Sequence, residues 1–305
     1  MRILVTGGAG FLGSWAVRQL LLDPVADVTV LLRPDSTPWR LDDCAKAVAT
    51  VVCDLADRDG IRACLRAVQP QCVIHLAWNG VLARDRKDAR QHANVVATRN
   101  LVQACAETGV KSWIGLGSQA EYGPHAGRLD ETAACSPITR YGAAKLETFH
   151  VAQDLCQAAD IRFAWFRPFS LYGPRDHPDW LIPYLTRTLL RGERPAVTRA
   201  EQVWDYLFVE DAADAVVRVA MGTSARGVFN LGSGRPRVLR SIMERVRDAI
   251  DPRLPIGFGE LPYRPDQVMH LEADTARLVA ATGWCPQTPM SEGLRQTVEW
   301  FRAHG

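Results

Sequence analysis

Lysine is scarce in this chain of 305 residues, whose basic side chains are almost all arginine; the lysines are Lys46, Lys87, Lys111 and Lys145. An excess of one charge is also lacking, because 36 basic residues face 34 acidic ones and leave a net charge of +2. Such a balance does not produce the electric field that attracts nucleic acid or a membrane surface. We therefore expect neither of these partners.

Long hydrophobic runs are lacking too. No apolar stretch is long enough to cross a bilayer, and the chain reaches Gly7 before a signal-like apolar segment could form. The eight cysteines are scattered without a Cys-x-x-Cys pair, and no metal site is predicted. Several of them, such as Cys53, Cys72 and Cys105, lie in apolar runs, where a thiol behaves as a small hydrophobe. We expect a reduced, cytoplasmic protein.

A glycine-rich motif follows the first apolar run. Gly7, Gly10 and Gly13 lead directly into an amphipathic pattern, an order that predicts a strand, a tight turn and a helix. Glycines in this spacing let the backbone turn sharply and admit a ligand close to bare N–H groups. A helix beginning near Gly10 would also present its positive dipole end to an anion. We expect a dinucleotide diphosphate to bind here.

Apolar strands and amphipathic helices then alternate along the chain. Strands are predicted at residues 28–32, 48–53, 72–77 and 112–117, and helices at about 11–22, 57–68 and 90–108, with another starting at 139. This rhythm predicts right-handed βαβ crossovers and an α/β fold with a doubly wound parallel sheet of the Rossmann type.

The chain is long enough for a second, smaller lobe. We expect residues 1–168 to form the dinucleotide-binding domain, with residues 204–232 packing back onto it. Residues 169–203 and 233–305 are predicted to form a C-terminal α/β lobe that binds the substrate. Proline, arginine and tryptophan are frequent between residues 174 and 199, a composition that suits a substrate lid.

The end of the second predicted strand bears on cofactor choice. An acidic residue at this tip holds the ribose 2′-hydroxyl of NAD, whereas a basic one accommodates the 2′-phosphate of NADP. Leu32 and Arg33 occupy the tip, which favours NADPH. A solvated loop arginine is the alternative, because Asp35 could turn inward. Asp54, which follows the third predicted strand, is placed to meet the adenine edge.

Tyr141 and Lys145 are four residues apart on a predicted helix and therefore project from one face. A free phenol has a pKa of about 10, which is too high for acid–base catalysis at neutral pH. A nearby ammonium stabilises the phenolate and brings the pKa of the phenol toward working pH. Ser118 follows the fifth predicted strand, at the sheet edge where ligands of open α/β sheets bind. His75, at the end of a buried strand, is interpreted as structural rather than catalytic.

These residues belong to an ordered series of motifs along the chain: Thr6-Gly7-Gly8-Ala9-Gly10-Phe11-Leu12-Gly13, Asp54-Leu55, His75-Leu76-Ala77, Asn94 with Asn100, Ser118 before Tyr122-Gly123, Tyr141 with Lys145, Arg167-Pro168-Phe169-Ser170-Leu171-Tyr172-Gly173-Pro174, the run from Trp204 to Asp211, Asn230-Leu231-Gly232-Ser233-Gly234, and Trp284-Cys285-Pro286. Through them the whole chain resembles the extended short-chain dehydrogenase/reductase family, that is, the NAD-dependent epimerases, dehydratases and reductases of nucleotide sugars.

The resemblance implies a role for each matching residue. Ser118 would hydrogen-bond the reacting sugar oxygen, Tyr141 would exchange its proton, and Lys145 would hold the cofactor ribose and lower the pKa of Tyr141. The implied cofactor contacts are Gly7, Gly10, Phe11, Leu12, Gly13, Arg33, Asp54, Leu55, Leu76, Ala77, Asn94, Tyr141, Lys145 and Pro168. The implied contacts to a nucleotide-diphosphate sugar are Gln119, Ser170, Arg175 and Arg264.

Two further expectations come from the resemblance. The helices that carry Asn94 and Tyr141 often pair across a dimer in this family, so we expect a homodimer held by a four-helix bundle. Arg264 matches a late arginine that grips the substrate diphosphate, for which a guanidinium is suited. The second diphosphate arginine of the family falls at Trp204, so that contact is missing or comes from elsewhere.

Departures from the family patterns reduce the number of reactions that this chain is expected to catalyse. The 4,6-dehydratases place an Asp-Glu pair after the serine as acid and base, but this chain has Gln119 and Ala120 there, so dehydration is not expected. The epimerase/reductases that make GDP-fucose use a cysteine and a histidine at the positions of Ala120 and Trp180. Carbon-acid epimerisation therefore lacks its proton donors, although His177 lies close in sequence.

Of the reactions in this family, direct hydride transfer at a hydroxyl or keto carbon remains. The stretch from Gly117 to Gly123 and the Tyr141 motif look most like the CDP-sugar and dTDP-sugar 4-ketoreductases, such as the abequose and paratose synthases. A nucleotide-sugar 4-epimerase is the main alternative. Such epimerases usually carry an acidic residue at the end of the second strand, where this chain has Arg33, and an asparagine at the position of Ser170. A non-catalytic protein that senses a dinucleotide is the non-enzyme alternative, which has no use for a tuned phenol.

Overall fold

The first strands of the protein are short and almost wholly apolar, as parallel strands covered on both faces must be. In the computed structural model, which describes residues 1–125, 127–222, 224–264 and 267–305, only the first residue of the N-terminal strand is exposed. The strand that ends at His75 is buried throughout. Helices on both faces of the sheet provide this cover.

The strands are β1 (Arg2–Thr6), β2 (Asp27–Leu32), β3 (Ala49–Val52), β4 (Cys72–His75), β5 (Ser112–Leu116), β6 (Arg128–Leu129), β7 (Arg162–Pro168), β8 (Ser170–Tyr172), β9 (Ala196–Val197), β10 (Val203–Trp204), β11 (Tyr206–Phe208), β12 (Gly227–Leu231), β13 (Arg237–Val238), β14 (Gly257–Phe258) and β15 (His270–Ala273). The helices are α1 (Phe11–Leu21), α2 (Arg58–Val68), α3 (Gln91–Thr108), α4 (Arg140–Ala158), α5 (Leu181–Leu190), α6 (Val209–Met221), α7 (Leu239–Asp248), α8 (Ala276–Thr282) and α9 (Met290–His304).

Seven strands form one parallel sheet in the order β12-β7-β5-β4-β1-β2-β3. The chain runs outward from β1 to β3 on one side and then returns to β4 on the other side of β1. This reversal leaves a crevice above the carboxyl ends of β1 and β4, where open α/β sheets bind ligands. The sheet confirms the predicted Rossmann-type fold.

Some element bounds differ from the sequence prediction. The fourth strand ends at His75 rather than Ala77, because its partner β1 ends at Thr6 and the chain then turns away at Gly7. Helix α6 begins at Val209, inside the motif that runs from Trp204 to Asp211. The segment from 174 to 199 contains α5, whose buried apolar residues follow a helical spacing that the frequent proline and arginine obscured.

The rest of the chain forms a second apolar cluster beside the main sheet. It is built largely from α5, α7 and α9, which pack around Tyr172, Tyr206 and Phe208. A mixed four-stranded sheet, β13-β10-β15-β6, and the parallel pairs β11-β8 and β14-β9 border it. Within the described ranges, no helix combines the length and the apolar character needed to cross a bilayer.

Helix α4 carries Tyr141 and Lys145, and its start is fixed by a side-chain cap. Thr139 adopts an extended conformation, and its hydroxyl accepts a hydrogen bond from the N–H of Gly142 at 3.0 Å. Replacing Thr139 by alanine should lower the free energy of unfolding by about 1 kcal/mol, because a helical N–H loses its partner. Chemical denaturation measures the loss. Thr139→Ser keeps the hydroxyl and should restore stability; an unchanged midpoint for Thr139→Ala would contradict the capping role.

Candidate active site

The turn between β1 and α1 can be formed only by glycine at two positions. Gly7 has a φ of +71°, and a Cβ atom there would lie 2.5 Å from the backbone nitrogen of Ala77. A Cβ atom on Gly13 would lie 2.0 Å from the carbonyl oxygen of Gly7. The absence of a Cβ atom at Gly7 lets the turn pack closely against the segment after β4, and the structure brings Gly7 and Ala77 together.

The first turn of α1 leaves its backbone N–H groups without a side-chain cap in the described structure. Gly10 is the N-cap residue, and among the described residues no side chain caps the helix and no acidic side chain lies in its first turn. The N–H groups of Phe11 and Leu12 therefore point outward from the positive end of the helix dipole. Backbone groups alone could hold a diphosphate here, without a cationic side chain.

The remaining predicted cofactor residues line the same edge of the sheet. Arg33 follows β2, Asp54 and Leu55 follow β3, and Pro168 ends β7. Asn94 on α3 holds the backbone of Asn79 through both its amide nitrogen and its amide oxygen. Asn94 thus shapes the segment after β4, and a cofactor contact of its own stays a prediction.

Tyr141 and Lys145 lie on the same side of α4, where both contact the indole ring of Trp78. The Tyr141 ring meets this indole edge-on at 6.0 Å between centroids. The Lys145 ammonium lies 3.7 Å from the indole centroid and also donates a 2.6 Å hydrogen bond to the carbonyl of Leu116. Ser118 comes two residues after that carbonyl, so the structure brings all three predicted catalytic residues together.

Burial changes the proton affinity of both groups on α4. It lowers the pKa of Lys145 to about 7, although the charge of Glu121 acts in the opposite direction. It also raises the pKa of Tyr141, while a hydrogen bond with Ser118 and the charge of Arg86 act to lower it. The pKa shift of Tyr141 in the protein alone is therefore opposite to the one expected from a neighbouring lysine, because desolvation of the phenol outweighs the nearby positive charge.

Ser118 is held by a buried carboxylate. The Glu121 side chain, which is completely buried, accepts the Ser118 N–H at 2.8 Å and the Arg167 Nε–H at 2.7 Å. The Trp165 indole N–H also points at this carboxylate. In the same short 3₁₀ turn, the Ser118 hydroxyl accepts the N–H of Ala120. These bonds fix the Ser118 backbone and direct its hydroxyl beside Tyr141.

Both ring nitrogens of His75 are occupied by hydrogen bonds, so neither is available to act as an acid or base. Its two ring nitrogens are hydrogen-bonded to the hydroxyls of Thr6 and Thr98, at 2.7 and 2.8 Å. Burial lowers the pKa of the imidazole to about 3, and the positive charge of Lys145 acts in the same direction. The imidazole therefore stays neutral and ties α3 to the sheet, in agreement with its interpretation as a structural residue.

The predicted substrate residues do not all lie together. Gln119 is in the 3₁₀ turn after Ser118, and Ser170 begins β8. Arg175 is bonded elsewhere, to the carboxylate of Asp43 and the carbonyl of Arg40 after β2. Arg264 lies between β14 and β15, and the Pro265 and Asp266 of its motif are outside the described residues.

The motifs missed several residues of this site. Trp78 directly follows His75-Leu76-Ala77, and its size beside that motif is the one signal that could have marked it. Arg86 lies in the segment before α3, where its guanidinium carbon is 5.5 Å from the Tyr141 ring centroid. No spacing rule connects Arg86 to Tyr141, since the contact depends on how this segment folds back.

Comparison with known proteins agrees with the fold and the motifs. The chain is 28% identical over 98% of its length to a dTDP-glucose 4,6-dehydratase of Neisseria meningitidis serogroup B, of which 93% is covered. It is 29% identical to a UDP-glucose 4-epimerase of Mycolicibacterium smegmatis, with 99% of both chains covered. Among solved structures, a Thermus thermophilus UDP-glucose 4-epimerase in complex with NAD is 28% identical and superimposes with a TM-score of 0.88 over 99% of each chain.

The family model agrees with these relatives. The model described as the NAD dependent epimerase/dehydratase family matches residues 3–232. The matched region extends from β1 to the residue after β12, and so includes the glycine turn, Ser118, Tyr141 and Lys145. The chain therefore belongs to the NAD dependent epimerase/dehydratase family.

Proposed function

We propose that the protein is an NADPH-dependent reductase that acts on the 4-keto group of a nucleotide-activated 4-keto-6-deoxyhexose. The observation that carries this proposal is the placement of Tyr141 and Lys145 on one side of α4, beside the turn that holds Ser118. The two positions after this serine hold no carboxylate. A hydroxyl, a phenol and an ammonium suffice to protonate an alkoxide formed by hydride transfer. Elimination of water needs an acid and a base at Gln119 and Ala120, which neither residue can supply.

Each residue has a defined part in this reaction. A nicotinamide cofactor, when bound, supplies the hydride. Tyr141 gives its phenolic proton to the sugar oxygen, and Ser118 donates a hydrogen bond to the same oxygen. Lys145 uses one of its three N–H donors on Leu116, which leaves the others for the cofactor ribose. The N-terminus of α1 binds the diphosphate of the cofactor.

Tyr141→Phe tests the catalytic assignment. The variant should lose at least ~100-fold in turnover, because it lacks the proton donor, while cofactor binding stays largely unchanged. We would screen wild type and variant with enzymatically prepared 4-keto-6-deoxy sugars on CDP, dTDP, GDP and UDP, with either nicotinamide. Fluorescence titration with NADPH provides the control for binding. A Phe variant that retains full turnover would reject the role of Tyr141.

We propose NADPH as the preferred reductant, on the basis of Arg33 at the tip of β2. Arg33→Asp should reverse the preference, because a carboxylate repels the 2′-phosphate and accepts a hydrogen bond from the 2′-hydroxyl. The ratio of the dissociation constants for NADPH and NADH should change by at least ~10-fold. Arg302→Asp, an equal charge change on the exposed end of α9, serves as the control. Tighter binding of NADH than NADPH by the wild-type protein would contradict the assignment.

A nucleotide-sugar 4-epimerase is the second candidate, and the likeness to two UDP-glucose 4-epimerases over 99% of the chain favours it. Such an enzyme oxidises the sugar at C4, lets the keto sugar rotate so that its other face meets the cofactor, and reduces it again. It therefore retains its nicotinamide and needs no added reductant. The ultraviolet absorbance of the purified protein distinguishes the two functions. Tightly held NAD, with interconversion of UDP-glucose and UDP-galactose, would establish the epimerase instead of the reductase.

We also propose a homodimer in which α3 and α4 of two chains form a four-helix bundle. The two helices pack against each other, and their outer faces carry small or apolar residues beside polar ones such as His92 and Glu147. Val96 on α3 is 45% exposed, and Ala93 and Ala143 are exposed on α3 and α4. A second copy would bury this surface.

The segments 169–203 and 233–305 are proposed to bind the sugar nucleotide.

A further inference from the structure

A second cation lies beside Tyr141. The guanidinium carbon of Arg86 is 5.5 Å from the centroid of the Tyr141 ring and 5.9 Å from that of Trp180. The carbonyl of Arg86 accepts the backbone N–H of Tyr141 at 3.0 Å, so its segment is attached to the start of α4. Within the described residues, the Arg86 Nε is buried and has no hydrogen-bond partner. The guanidinium is therefore held against the phenol ring without an acidic partner at this nitrogen.

Lys145 is less well placed to act on the phenol. Its ammonium is 6.0 Å from the Tyr141 ring centroid, but its closest contacts are the Trp78 ring and the Leu116 carbonyl. A buried ammonium also loses its proton far more readily than a guanidinium, which stays charged at any working pH. Arg86 can therefore supply a permanent positive charge where Lys145 cannot.

We propose that Arg86 is a positioning residue that stabilises the deprotonated form of Tyr141 through the charge of its guanidinium. The cation-to-ring distance is within the range at which cations interact with aromatic rings. Arg86 acts only through Tyr141, so the proposal rests on the proposed role of Tyr141 as proton donor. The Trp180 ring, 5.9 Å from the guanidinium carbon, is a second aromatic neighbour of Arg86.

The other groups that face Tyr141 come from every neighbouring element. The hydroxyl of Ser118 and the carboxylate of Glu121 lie on the 3₁₀ turn, the Trp78 indole follows β4, and Lys145 is on α4 itself. Of the charged groups, Glu121 raises the pKa of Tyr141 and Arg86 lowers it. Glu121 is ion-paired with Arg167, and this pair does not involve Arg86. Removal of Arg86 should therefore make the phenol harder to ionise.

The test is a direct titration of the phenol. Ultraviolet absorbance of the phenolate is followed against pH in the full-length protein saturated with NADP⁺, and the same variant carrying Tyr141→Phe is subtracted. In Arg86→Met the midpoint of Tyr141 should rise by about one pH unit or more. Arg86→Lys, which keeps a positive charge, should recover at least about half of this shift.

Arg84→Met is the matched control. Arg84 lies two residues away on the same segment, is exposed, and pairs with Asp179 at 3.1 Å, so its removal should leave the midpoint unchanged. An unchanged midpoint in Arg86→Met, or an equal rise in Arg84→Met, would overturn the proposal. If Arg86→Met does not fold, Arg86→Gln is titrated with the same expectation.

The titration needs no sugar substrate, so it separates this proposal from the proposed reaction. A shifted midpoint together with no turnover of any keto sugar would uphold Arg86 and reject the reductase. Turnover that depends on Tyr141, together with an unshifted midpoint, would uphold the reductase and reject the role of Arg86. For a confirmed substrate, reduction requires the protonated phenol, so Arg86→Met should move the alkaline limb of the rate to higher pH.

Discussion

The bond between the Lys145 ammonium and the Leu116 carbonyl fixes the candidate active site. At 2.6 Å it joins α4 to the carboxyl end of β5, and the 3.7 Å contact with Trp78 joins the same helix to the end of β4. These two contacts place Tyr141, one helical turn earlier, beside Ser118. An ammonium that lost the carbonyl would be buried without a partner, which is costly. The position of the helix and the chemistry of its side chains therefore depend on each other.

Charge is arranged around this bond so that few buried groups lack a partner. Glu121 and Arg167 form an ion pair whose side chains are 0% and 4% exposed, and the same carboxylate accepts the N–H of Ser118. A buried pair of this kind gives little net stability compared with apolar residues, but the loss of one partner is severe. Here the pair also sets the Ser118 backbone. Its contribution is therefore positional, since it fixes the backbone from which the Ser118 hydroxyl projects.

Much of the fold and the centre of the site could be predicted, because both depend on short spacings. Gly13 is required by its close approach to Gly7 within one turn, and Gly7 by its positive φ. Tyr141 and Lys145 share a face through helical periodicity alone. Trp78, Arg86 and Glu121 could not be identified in this way. Trp78 and Arg86 meet Tyr141 only because separate segments fold together. Glu121 has the three-residue spacing of a capping box from Ser118, but no spacing shows its pairing with Arg167 on β7. Helix α5 was missed for a different reason, since frequent proline and arginine concealed its apolar face.

The proposed reaction requires Tyr141 and Lys145 to face a nicotinamide bound above the edge of the sheet. A crystal structure of the protein with NADP⁺ tests it most directly, together with the sugar nucleotide that the turnover screen identifies. We expect the diphosphate on the first turn of α1, the ribose against Lys145, and the Tyr141 hydroxyl within about 2.6–3.2 Å of the reacting sugar oxygen. A nicotinamide on the far side of α4, or a sugar oxygen out of reach of Tyr141, would contradict it.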